Sequence, residues 1–152
     1  MLRPVLIATL IAGTLDILSA FVFAGMAGMK PLGVLRFVAS GPFGAAAAPT
    51  PGWAAIGLAV HFTIMACMAA AYMLVASRLP ALLRHPILAG LAYGLLLWLV
   101  MYWIVLPQRF GMPLPSTLWA ISNQVFSHCI LTGIPIALVA ARHLAAPRLD
   151  RV

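Results

Sequence analysis

The chain has 152 residues, of which 64% are hydrophobic and 7% charged, with a mean hydropathy of +1.11; soluble domains carry roughly 25% charged residues. Such a composition cannot cover a water-soluble surface. The formal charge of +7 does not point to nucleic acid either, because the nine Lys and Arg flank apolar runs instead of forming one basic face.

Lys, Arg, Asp and Glu are absent from 37–77, 85–108 and 110–141, and Asp16 is the sole charge between residues 4 and 29. Each stretch exceeds the roughly 20 residues that a membrane-spanning helix needs. The expected fold is all-α: a polytopic membrane protein with a four-transmembrane-helix bundle in one domain. The spans fall near 4–28, 53–77, 86–106 and 117–141, with an outer loop at 29–52 and a cytoplasmic tail at 142–152.

The first span opens on a basic Met1-Leu2-Arg3 and ends among small residues, as a secretory signal does. Its length and its mid-segment acid make it a retained helix instead. Asp16 is the most informative residue of the chain, since charge in hydrocarbon is costly and an intramembrane carboxylate faces the bundle interior or a wet cavity. At spacing four it belongs to a row of small residues, Ala8, Ala12, Asp16, Ala20, Ala24 and Gly28. Such a strip allows close backbone approach and is expected to pack on another helix.

The loop that follows has two halves. Residues 31–40 are apolar with the single Arg36, which suits a short interfacial or re-entrant helix. Residues 41–52, rich in Gly and Pro, read as a flexible connector. In the second span His61 is the polar residue of interest, and Cys67 pairs with no CxxC partner. Cys67 and Cys129, the latter in the fourth span, are expected to be buried small hydrophobes. A short basic turn containing Arg78 and Arg84 leads to Pro86, well placed to start the third span. That span carries Gly90 and Gly94 in a GxxxG spacing. Trp98, Tyr102 and Trp103, with Trp53 and Trp119, are expected to form an interfacial aromatic belt.

The fourth span holds a polar row at spacing four, Ser116, Ala120, Gln124, His128 and Thr132, with Asn123 and Ser127 beside it. Unsatisfied polar groups in hydrocarbon cost several kcal/mol, so this flank is expected to face protein or water. Pro135 is expected to kink the helix and free a carbonyl near Leu131. At about 1.5 Å rise per residue, His61, His128 and Asp16 lie roughly 12, 16 and 18 Å from the same ends of their spans. Convergence at one depth is therefore the expectation for three side chains from three helices.

That cluster supports several readings. It fixes helix register, with a neutral Asp16 bonded to a histidine or to Gln124; or it lines a route for protons or a polar solute, with Asp16 and His128 titrating and Gln124, Asn123 and Thr132 along the path. In a third reading His61 and His128 ligate a b-type haem, or join Asp16 in a two-His, one-carboxylate metal set. No cofactor is expected. Glu is absent from the sequence and ordinary catalytic signatures are missing, so the chain does not read as an enzyme.

Arg3, Arg78, Arg84, Arg142, Arg148 and Arg151 fall on one side of the four-span arrangement and Lys30, Arg36 and Arg109 on the other. The positive-inside rule then places both termini in the cytoplasm. Gly13-Thr-Leu-Asp16, the Arg78-Leu-Pro80 turn, Gly90-Leu-Ala-Tyr-Gly94 and Thr132-Gly-Ile-Pro135 followed by a basic tail resemble small four-helix inner-membrane proteins of Gram-negative bacteria, a family of unknown function. The resemblance implies a bacterial inner-membrane location and four spans and transfers no catalytic residue. The first functional expectation is a non-enzymatic accessory or scaffold protein. Its partners would be the lipid bilayer and other membrane subunits or itself, bound through the small-residue strips. A small transporter or channel component is the alternative.

Overall fold

The computed structural model describes residues 1–44, 50 and 52–145. The remainder of the expected connector, 45–49 and 51, and Arg148 and Arg151 of the tail lie outside the described residues. Four helices are long and apolar enough to cross a membrane: α1 (Leu2–Met26), α3 (Gly52–Arg78), α5 (Pro86–Phe110) and α6 (Leu118–Leu144). A shorter helix, α2 (Pro31–Phe43), lies between the first two, and one turn, α4 (Ala81–Arg84), joins α3 to α5. The described residues contain helices and no strand.

Large apolar side chains such as Leu10, Val22, Leu88 and Leu96 point outward and are more than half exposed, the arrangement a lipid-facing surface requires. The interior is built from small residues. Ala8, Ala12, Ala69, Ala76, Ala137 and Ala140 are fully buried and share one core with Met65, Tyr72, Met73 and Ile136. This core occupies the half of the bundle nearest the termini. There the alanines let four helix backbones come close, and van der Waals contact, not hydrophobic exclusion, holds them. Tyr72 is an exception within it, since its buried hydroxyl has no hydrogen-bond partner among the described residues. A stranded buried hydroxyl costs about 1–3 kcal/mol. Tyr72→Phe is therefore expected to melt at or above the wild-type temperature in detergent, and a lower melting point would mean that an ordered water satisfies the hydroxyl.

The expected small-residue strip of α1 divides accordingly. Ala8 and Ala12 pack in the core, Ala20 and Ala24 are only half-buried, and Gly28 lies past the helix end at a positive φ of 83°. Helix backbones come very close at the α5–α6 crossing. A Cβ on Gly94 would meet Cys129 Cα at 2.5 Å, and one on Gly90 would meet Ile134 Cα at 2.7 Å. Gly133 faces both glycines from α6.

Two π-helical turns interrupt the long helices, Val100–Val105 in α5 and Ser127–Gly133 in α6. Each ends directly before an X-Pro pair. Leu106 N donates to Met101 O and Ile134 N to Cys129 O, and Pro107 and Pro135 follow. A proline ring clashes with the carbonyl four residues back and supplies no N–H. The wider turn accommodates that ring within a continuous helix, so Pro135 produces a π turn where a plain kink was expected. Likewise α5 continues through Pro107 to Phe110, four residues beyond the expected end of its span.

The helix α2 is longer than expected, because Gly41, Pro42 and Phe43 extend it and do not begin the connector. It packs on α3 where Gly57 lies directly under the Leu35 backbone. Its C-terminal carbonyls are capped from a distance: Arg109 Nε donates to Gly41 O at 2.5 Å and Nη2 to Ser40 O at 3.0 Å. Phe37 stacks on Phe110 with centroids 4.6 Å apart, and Phe43 meets Trp53 at 5.3 Å. Cys67 is exposed, contrary to the expected burial, while Cys129 is buried; both are free thiols. Lying on the outer face of α3, Cys67 needs no polar partner.

Candidate functional site

The polar row of the fourth span and the acid of the first face one another. Thr132 Oγ1 donates to Asp16 Oδ1 at 3.2 Å. Ser19, one turn beyond Asp16, lies with its Oγ 2.8 Å from the Asp16 carbonyl and 2.9 Å from Ser127 Oγ, and its single proton goes to one of them at a time. Ser127 in turn donates to the Asn123 carbonyl at 3.0 Å. These bonds fasten α1 to the π turn of α6. They also meet the requirement that polar groups in an apolar medium find partners.

The two imidazoles are each anchored by one nitrogen. His61 Nε2 donates to the Gly13 carbonyl at 2.9 Å, and His128 Nδ1 to the Gln124 carbonyl at 3.0 Å. A carbonyl only accepts, so both bonds fix the tautomer and leave His61 Nδ1 and His128 Nε2 as the nitrogens that carry a lone pair. A haem or metal held by these residues would have to use those two atoms. Among the described residues no group of three or more His, Cys, Asp or Glu side chains is placed to hold a metal ion.

Behind these bonds lies a cavity of about 630 Å³. Asp16 and Ser19 line it from α1, His61 from α3, and Asn123, Gln124, Ser127, His128 and Thr132 from α6. All seven residues of the expected polar cluster thus line the same space. Its deep end is at Thr132 and Met68, against the alanine core, and it extends toward Pro42 and Arg109 at the α2 end. Phe23, Phe37 and Phe110 form much of its apolar wall together with the side chains of Ile64, Met65 and Met101. The closed half of the bundle is packed on alanines with Tyr72, Met73 and Ile136, whereas larger and polar groups line the cavity half, where both π turns lie.

Two aromatic residues belong to this site and not to an interfacial belt. Tyr102 lines the cavity and meets the His128 ring edge-on at 5.6 Å and 78°. Trp98 is 7% exposed and donates Nε1 to Gln124 Oε1 at 3.1 Å. That bond holds the Gln124 amide in place, and a belt position would have kept the indole at the lipid surface. Trp103 and Trp119 are the exposed tryptophans, and Phe23 packs edge-on against Trp119 at 6.1 Å. Sequence reasoning also passed over Ser19, although it sits three residues after Asp16 on the same helix face, and over Arg109, whose role depends on carbonyls 68 and 69 residues away.

Comparisons with protein families, curated proteins and solved structures give no match to this chain.

Proposed function

We propose that this is a multi-pass protein of the bacterial inner membrane that moves protons or a polar solute past Asp16, His61 and His128. The observation that carries this reading is the shared cavity, in which a carboxylate, two imidazole lone pairs and a run of hydroxyls and amides line one space between membrane-spanning helices. Ionisable groups at such depth are typical of ion and proton routes. The scaffold reading drew on small-residue strips available to a partner. Ala8, Ala12, Gly90 and Gly94 are buried against this chain's own helices, so those parts of the strips serve folding, whereas Ala20, Ala24 and Gly28 are not buried.

Both termini are placed in the cytoplasm by the same reading. Arg3, Arg78, Arg84 and Arg142 gather at the end with the alanine core, Lys30, Arg36 and Arg109 at the cavity end. The cavity then faces the periplasmic side. Reconstituted into liposomes, wild-type protein is expected to pass protons under an imposed potential, read by an internal pH dye. Asp16→Asn, which keeps the acceptor for Thr132, is expected to bring that flux to the protein-free background. Equal flux in the two proteins, or none in either, would overturn the pathway.

A further inference from the structure

The lining of the cavity points to a ligand class, an inference that rests on the pathway reading above. We infer that the cavity receives a lipophilic organic cation, with its charge at Asp16 and its apolar body against the aromatic walls, and that protons compete with it for that carboxylate.

Size is the first argument. About 630 Å³ is far more than a proton or a metal ion occupies and lies within the range of sites for organic ligands, roughly 300–1,000 Å³. Charge is the second. Among the described residues Asp16 is the only acid that lines the cavity, and the only Lys or Arg is Arg109, whose guanidinium is engaged on the Ser40 and Gly41 carbonyls at the α2 end. An anion reaching the deep end would meet a carboxylate there, whereas a cation would find its counter-charge. Wall chemistry is the third. Aromatic faces attract cations, and of the aromatic residues lining the cavity Phe37 and Phe110 stack on each other, which leaves Phe23 and Tyr102 as the rings not stacked on another.

The groups that share the cavity with Asp16 come from every helix around it. From α3 comes His61, from α5 Tyr102 with Arg109 further out, and from α6 Thr132 and His128; α2 contributes apolar side chains and backbone. Acid protonates the carboxylate and removes the counter-charge. Cation binding therefore weakens as pH falls. Exchange of one proton for one cation at a single carboxylate conserves charge, and it requires no other reactant.

The probe is tetraphenylphosphonium, a single positive charge inside four phenyl rings, added to the full chain in nanodiscs with protein-free nanodiscs as the blank. Saturable binding is expected, strengthening by up to about tenfold per pH unit while one proton competes. Asp16→Asn is expected to bind about tenfold or more weakly and without pH dependence. Asp16→Glu, which restores the charge, recovers binding and shows that the loss is not misfolding. Tetraphenylborate has the same shape and the opposite charge, and is expected to bind far more weakly than the phosphonium at alkaline pH. Equal binding of the two ions, or unchanged phosphonium binding by Asp16→Asn, overturns the inference. Absent phosphonium binding beside intact Asp16-dependent proton flux overturns this inference alone. Phosphonium binding without any flux upholds the site and overturns the pathway.

Discussion

Gly133→Leu is expected to abolish folding of the bundle, and Gly133→Ala to destabilise it by about 3 kcal/mol or more. A Cβ at this position would sit 2.8 Å from Gly94 N and 2.9 Å from Gly94 Cα, and closer still to the Gly90 carbonyl. Every one of these neighbours is backbone, so none can turn aside as a side chain would. Overpacking a core costs typically 1–3 kcal/mol when side chains can adjust. Here the whole of α5 must retreat from α6, against a total stability of about 5–15 kcal/mol. The damage extends to the site, because Gly94 packs on the His128 carbonyl and Thr132 adjoins Gly133. Gly25→Ala is the control. It has no neighbour within 4 Å and lies inside a helix, so it should be neutral or stabilising by up to about 1 kcal/mol. Circular dichroism melts and size exclusion in detergent would decide, and a Gly133→Ala protein that melts with the wild type would show that the two helices do not cross there.

The four helices were legible because charge is excluded from hydrocarbon so strongly that uncharged stretches mark the spans almost by themselves. Asp16 and the polar flank of α6 were legible for the same reason, since both need an interior to face. What periodicity could not supply was register across the π turns. A spacing of four assumes one bond pattern throughout, and the i to i−5 bonds at Cys129 and Met101 break it within the site. Aromatic residues near a span end suit either the lipid interface or the interior. For Trp98 and Tyr102 the choice is made by Gln124 and His128 on another helix, which no local pattern reveals. The extent of α2 was hidden in the same way, because Gly41 and Pro42 read as breakers until Arg109 caps their carbonyls from the end of α5.

Ala20→Trp is expected to bring flux and tetraphenylphosphonium binding to background while leaving the protein folded, with stability within about 1 kcal/mol of wild type. Ala20 is one turn beyond Asp16 on the same face of α1, half-buried, and lines the cavity. An indole there enters space that no side chain fills, whereas large residues usually destabilise because interiors are close-packed. Ala12, one turn before Asp16 on that same face, is fully buried in the alanine core, and Ala12→Trp should fail to fold. The pair thus tests the division of the bundle into a sealed half and a hollow half without altering any charge. If Ala20→Trp still passes protons, the route lies elsewhere; if it unfolds like Ala12→Trp, the hollow half is as tightly packed as the other. A folded and blocked Ala20→Trp protein would show that occupation of the cavity, separately from the Asp16 charge, is sufficient to stop transport.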